Sequence, residues 1–113
     1  MALEMTTADA LRMWQQVSLH LVTDDDPDLS MRQMSILLTV YLEPPPHTVR
    51  GLAERLQVSK PVITRALDSM GKHQLLARRR DQDDKRNVLI QRTVEGSLFI
   101  ERLADTIIEQ AGR

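Results

Sequence analysis

Eleven of the fifteen lysines and arginines fall between residues 50 and 92, where they face five aspartates and glutamates, a local balance of +6. Ammonium and guanidinium groups bind phosphate oxygens, and a guanidinium also matches the O6 and N7 acceptors of guanine in a bidentate pair. Two stretches concentrate these groups. The first is Ser59, Lys60, Pro61, Thr64 and Arg65; the second runs through Arg78, Arg79, Arg80, Lys85, Arg86 and Arg92. The flanks have the opposite sign, at −5 over residues 1–49 and −2 over residues 93–113, so a formal net charge of −1 hides a basic middle. A local basic face, rather than the net value, sets binding to phosphates, and acidic ends orient the approach of an anionic partner.

Other chemistry is poorly represented. The chain has no cysteine, which removes disulfides, thiolate metal sites and a cysteine nucleophile. His20, His47 and His73 share no metal-ligand spacing. The run Asp24-Asp25-Asp26-Pro27-Asp28 lacks the glycine and closing glutamate of a calcium loop, and it reads as a solvated acidic helix terminus. No histidine or acid is spaced to activate Ser59, which is better placed as a helix cap. Neither an enzyme nor a metal or cofactor site is expected. Trp14 beside Met13 lies at helical spacing and reads as core or subunit interface rather than as a ligand pocket. Apolar runs are too short to span a bilayer, and no basic segment leads into an apolar stretch at the N-terminus. At 113 residues and 42% apolar content, one soluble cytoplasmic domain covering residues 1–113 is expected.

The hydrophobic periodicity then sets the elements. Ala10, Leu11, Trp14, Val17, Ser18 and Leu21 recur at helical spacing and predict a helix over 7–22, stopped by the acidic run and Pro27. Ser30 caps a second helix over 31–42, carrying Met31, Met34, Ile36, Leu37, Leu38, Val40 and Tyr41, which Pro44, Pro45 and Pro46 end. Thr48 opens a short helix with Leu52, Ala53 and Leu56 inward. Ser59 opens the next, with Pro61 in its first turn. In that helix Val62, Ile63, Ala66, Leu67 and Met70 share one face, while Lys60, Pro61, Thr64, Arg65, Asp68 and Ser69 share the other. The period changes to that of strands over 75–80 and 87–93, around a polar turn from Asp81 to Arg86. A last helix begins near Thr93, with Val94, Leu98, Ile100, Leu103, Ile107 and Ile108 as its apolar set.

Two short helices joined by a tight turn, the second carrying small polar and basic residues at its outward N-terminus, form a helix-turn-helix. A helix enters a major groove about 12 Å wide end-first, so Ser59, Lys60, Pro61, Thr64 and Arg65 are the residues placed to reach base edges. A basic hairpin beside such a helix is a wing that sets a cation into the minor groove, with Arg86 as its tip. Asp84, too acidic to meet DNA itself, is expected to hold Arg86 or the turn backbone by a hydrogen bond.

These residues carry a family resemblance. Leu52-Ala53-Glu54-Arg55-Leu56, Val58-Ser59, the run Val62 to Asp68, Leu75 with Arg78 to Arg80, Asp84-Lys85-Arg86 with Asn87 to Ile90, and Thr93-Val94-Glu95-Gly96 together resemble the winged helix-turn-helix of the MarR family of bacterial transcription regulators. The similarity spans about residues 30–100, and its most specific part is the Asp-x-Arg wing followed by an apolar strand and Thr-x-x-Gly. It implies a homodimer on pseudo-palindromic promoter DNA, with helix 59–73 in the major groove and wing 78–92 in the minor groove. MarR-like dimers join through an N-terminal helix and a long C-terminal helix pair; here, with the last residue Arg113, residues 7–22 and 93–111 must supply the dimer contacts, or the dimer is built differently. The resemblance also implies a cleft for a small-molecule effector, most of whose lining helix is not in this sequence.

The expected fold is therefore mainly α, about five helices plus a two-stranded β-wing. The expected DNA-binding set is Ser59, Lys60, Pro61, Thr64, Arg65, Arg78, Arg80, Lys85 and Arg86, with Asp84 stabilising the wing. The competing reading is a winged-helix protein-interaction adaptor or anti-regulator without direct DNA readout. DNA binding predicts that Lys60, Arg65, Arg78, Arg80, Arg86 and Arg92 share a surface clear of Asp68, Asp81 and Asp83. An adaptor predicts a mixed surface or an exposed apolar patch.

Overall fold

A computed structural model describes residues 4–25 and 27–112; of the acidic run, Asp26 lies outside the described residues, as does Arg113 at the end of the tail. Five helices and three short strands follow in the order α1 (Thr7–Thr23), α2 (Met31–Leu42), β1 (His47–Thr48), α3 (Val49–Leu56), α4 (Lys60–Gly71), β2 (Leu76–Arg80), β3 (Val88–Arg92) and α5 (Val94–Ala111). The chain divides into two compact units. One is Leu29–Ile100; the other joins the N-terminal segment through Asp28 with the C-terminal segment from Glu101. No helix among the described residues is long and apolar enough to cross a membrane.

Helix ends follow local chemistry. The Thr6 hydroxyl accepts the Asp9 N–H and starts α1, while the Asp24 N–H closes it on the His20 carbonyl. Ser30 and Gln33 form a reciprocal capping box at α2, satisfying two backbone donors that the helix itself cannot. The Thr48 hydroxyl accepts the Gly51 N–H at 2.9 Å to start α3. Helix α3 closes at Gln57, which takes the left-handed conformation (φ 59°, ψ 45°) and turns the chain toward α4.

The winged unit is built on an aliphatic core. Ile36, Leu37 and Val40 of α2, Leu52 and Ala53 of α3, Ile63, Leu67 and Met70 of α4, Leu76, Ile90 and Phe99 are all buried. Apart from Ala53, each of these side chains contributes about 1.5–3 kcal/mol on leaving water. The antiparallel sheet runs β1-β3-β2, with Arg78 opposite Ile90 and His47 also opposite Ile90 on the other side. The hairpin β2–β3 matches the expected wing. Strand β1 adds a third strand that no alternation could announce, because it is two residues long.

Two features differ from the expected core. Val94, Leu98 and Ile108 of the α5 apolar set are exposed, and Phe99, one position round the helix from Leu98, is buried at 1% exposure instead. The inward stripe of α5 is set by Phe99 and Leu103, four residues apart. Met31 of α2 also faces out.

The joint between β3 and α5 is tied by Tyr41. Its hydroxyl donates to the Thr93 carbonyl and accepts the Thr93 N–H, both at 3.0 Å. The Thr93 hydroxyl donates to the Gln74 carbonyl and accepts the Gly96 N–H at 2.9 Å, which starts α5. Gly96 is required there: a Cβ would overlap the Tyr41 hydroxyl and the Leu75 carbonyl oxygen.

Candidate nucleic-acid interface

The 3.6-residue period divides α4 into two faces. Ile63, Leu67 and Met70 are buried, whereas Lys60, Pro61, Thr64, Arg65, Asp68 and Ser69 are all exposed. Packing of the inner face against α2 and α3 therefore fixes which way the polar face looks. Ser59 occupies the N-cap position, but its hydroxyl accepts no backbone N–H. The reason is local. A capping side chain reaches the second or third helical N–H; the second residue here is Pro61, which has none, and the Val62 N–H bonds the Ser59 carbonyl at 3.1 Å. The first turn of α4 holds no acid, and neither does that of α3.

Backbone and side-chain bonds together shape the wing turn. The Asp81 N–H donates to the Asn87 carbonyl at 3.1 Å, and the Asn87 N–H donates to the Asp84 carbonyl at 2.9 Å. The Asp81 carboxylate accepts the Asp83 N–H, and the Arg80 guanidinium donates to the Lys85 carbonyl. Asp84 grips Arg86 at three points. Its Oδ1 accepts from the Arg86 backbone N–H at 3.1 Å and from Nε at 3.0 Å, and its Oδ2 accepts from Nη2 at 3.0 Å. The hydrogen bonds from the Arg86 side chain and then its backbone, with the charge of Arg50 adding to them, hold the Asp84 carboxyl below its ordinary pKa. The same side-chain bond raises the Arg86 guanidinium above its own. The Arg86 side chain nonetheless remains 81% exposed, so it is oriented without being covered.

Three of the expected residues meet across elements. Lys60 and Thr64 of α4 and Arg86 of the wing turn line one concavity of about 210 Å³, together with Val49, Arg50, Asn87 and Val88. Ser59, Pro61, Arg65 and Lys85 are exposed but do not line it. Arg78 pairs with Asp68 of α4 at 2.8 Å, so the surface is not clear of that acid. Arg92, expected to share the basic surface, is engaged elsewhere: its Nε donates to the Val40 carbonyl at 2.9 Å, and its guanidinium lies 5.6 Å from the centre of the Tyr41 ring. An arginine next to a strand end finds the orphan carbonyls at the C-terminus of α2, and these are favourable for a cation.

Arg50 joins this group from outside the expected set. It sits in the first turn of the preceding helix, α3, outside the first turns of α4, where base contacts are expected. Its type and its place in the +6 segment were the available signal.

Known proteins bear on this geometry in three ways. No curated protein matches the sequence. Solved structures match over nearly the whole chain: a mutant of MepR from S. aureus at 23% identity covers 94% of this chain and 79% of its own, with a TM-score of 0.73. The S. aureus MepR–DNA complex is similar at 20% identity, over 91% of this chain and 79% of that one, with a TM-score of 0.72. The PcaV transcriptional regulator from Streptomyces coelicolor is 27% identical over 89% of this chain and 74% of its own, with a TM-score of 0.67. The sequence profile of the MarR family matches residues 29–88, which takes in α2, both helices around the Gln57 turn, and the wing as far as the start of β3. The chain belongs to the MarR family.

Proposed function

We propose that the chain binds double-stranded DNA sequence-specifically as a transcription regulator, with α4 in the major groove and the β2–β3 wing in the minor groove. The observation that carries this reading is the exposed N-terminal face of α4, Lys60, Pro61, Thr64 and Arg65, standing beside a wing cation that Asp84 holds in place. In this reading Arg65 pairs with guanine, Thr64 and Pro61 touch thymine methyls, and Ser59 and Lys60 meet the backbone at the head of the helix. Arg86 enters the minor groove, Lys85 and Arg80 support it at the turn, and Arg78 offsets Asp68 on the recognition helix. That one of the similar structures is MepR with DNA supports the reading.

The protein acts as a cytoplasmic homodimer on a pseudo-palindromic operator, joined through residues 7–22 and 93–111. A small-molecule effector is compatible with the family, and nothing among the residues described here singles one out.

Selection of bound duplexes from a random pool tests the proposal. Two half-sites about 10 bp apart are expected. On that duplex Arg65→Ala weakens binding by about 1–3 kcal/mol and relaxes the preference at one position. Equal losses on selected and random duplexes would show that Arg65 does not read bases, and a pool without any enrichment would favour the adaptor.

A further inference from the structure

We infer that the concavity shared by Arg50, Lys60, Thr64, Arg86 and Asn87 seats one phosphodiester of the DNA backbone, and that Arg50 is the residue that clamps it. This rests on the DNA-binding reading and adds a residue and a ligand group to it. Three observations converge. The first is composition: three cations from three different elements line a notch of about 210 Å³, and the acid beside it, Asp84, is already paired with Arg86. Among the described residues, neither Arg50 nor Lys60 has a hydrogen bond or ion pair; Arg50 feels the charge of Asp84, but that carboxylate is already held by Arg86 through three hydrogen bonds.

The second is position. Arg50 and Lys60 stand in the first turns of α3 and α4, where the helix dipole disfavours a cation and acids are the ordinary occupants. Two helices break that preference at one place, and their first turns line the same notch. A bound anion answers both cations and both helix ends at once. The third is access. The notch is open to solvent between the head of α4 and the wing turn, where the backbone of a bound duplex can reach it. The Thr64 hydroxyl and the Asn87 side chain supply neutral polar groups on its wall. A phosphate held there lies between the segment that α4 reads and the segment that Arg86 enters, so it fixes the spacing of the two.

The test is the salt dependence of binding by the full chain to the selected duplex and to a random one. Removing one phosphate contact lowers the slope of log K against log salt by about 0.9. Arg50→Gln is expected to lower the slope by that amount on both duplexes and to leave the base preference unchanged. Arg65→Ala, in contrast, changes the preference. A single methylphosphonate linkage, walked along the duplex, locates the contact: one position weakens the natural chain several-fold and leaves Arg50→Gln unaffected. An unchanged slope, or equal sensitivity of both proteins at every linkage, overturns the clamp. If the natural chain binds no duplex, the DNA-binding reading fails first, and with it this inference. Circular dichroism of Arg50→Gln, expected to match the natural chain, separates loss of contact from loss of fold.

Discussion

Gly96 is the position where one atom decides most. Its N–H meets the Thr93 hydroxyl while its α-carbon faces Tyr41, and the space a methyl would need is taken by the Tyr41 hydroxyl and the Leu75 carbonyl. Forcing a methyl into a filled site costs about 1–3 kcal/mol, and displacing Tyr41 also breaks hydrogen bonds worth about 1 kcal/mol each. Gly96→Ala should therefore lower the urea midpoint of unfolding clearly, and adding Tyr41→Phe should recover only part of the loss, because the Leu75 oxygen stays. A midpoint indistinguishable from the natural chain would refute the close approach. The Thr-x-x-Gly run was legible in the sequence, but its reason was not. Tyr41 and Thr93 are 52 residues apart, and no local pattern links them. The direction of Arg92 escaped for the same cause: a side chain's type can be read, whereas the carbonyls it will find depend on what the fold brings near.

At the scale of elements, the wing is the piece whose integrity depends on protonation. Asp84 titrates below its ordinary value of 3.8, chiefly because the Arg86 side chain bonds its charged form. A carboxyl depressed by folding contributes its stabilisation fully above the unfolded pKa, and loses it as pH falls through the lower folded one. The turn should accordingly be unchanged between pH 7 and 5 and should loosen only below the ordinary carboxylate range. A carbon-detected NMR titration of the Asp84 carboxyl is expected to give a midpoint under 3.8, and Asp84→Asn is expected to release the Arg86 Nε–H to rapid solvent exchange at every pH. A midpoint at or above the ordinary value would mean that the three-point grip is absent in solution. Element boundaries were mostly legible, because Ser30, Thr48 and Ser59 stand at helix starts and three prolines follow α2. Strand β1 was not, since two residues give no period, and neither was the place of Arg50, which depends on how the fold brings α3, α4 and the wing turn together.

For the whole molecule, the informative quantity is apolar surface left uncovered. In the terminal unit Leu11, Trp14, Leu19, Val22 and Ile108 are each at least 46% exposed, while Val17 is fully buried. In the dimer proposed above, these are the apolar side chains that a second copy would cover. Trp14→Glu should shift sedimentation at micromolar concentration from dimer to monomer and leave the amide spectrum of the winged unit in place; an unchanged mass would move the dimer contact away from α1. The sheet presents the opposite case. Among the described residues, strand β2 pairs only with β3, so its outer edge carries open backbone donors and acceptors. Along that edge run Arg78, Arg79 and Arg80. Like charges in register repel a second copy of the same strand, and charged edge strands are a common guard against fibril-like stacking. A second copy adding to this edge would have to bring its own arginine strand beside these guanidinium groups, which makes edge-to-edge stacking of the wing unfavourable.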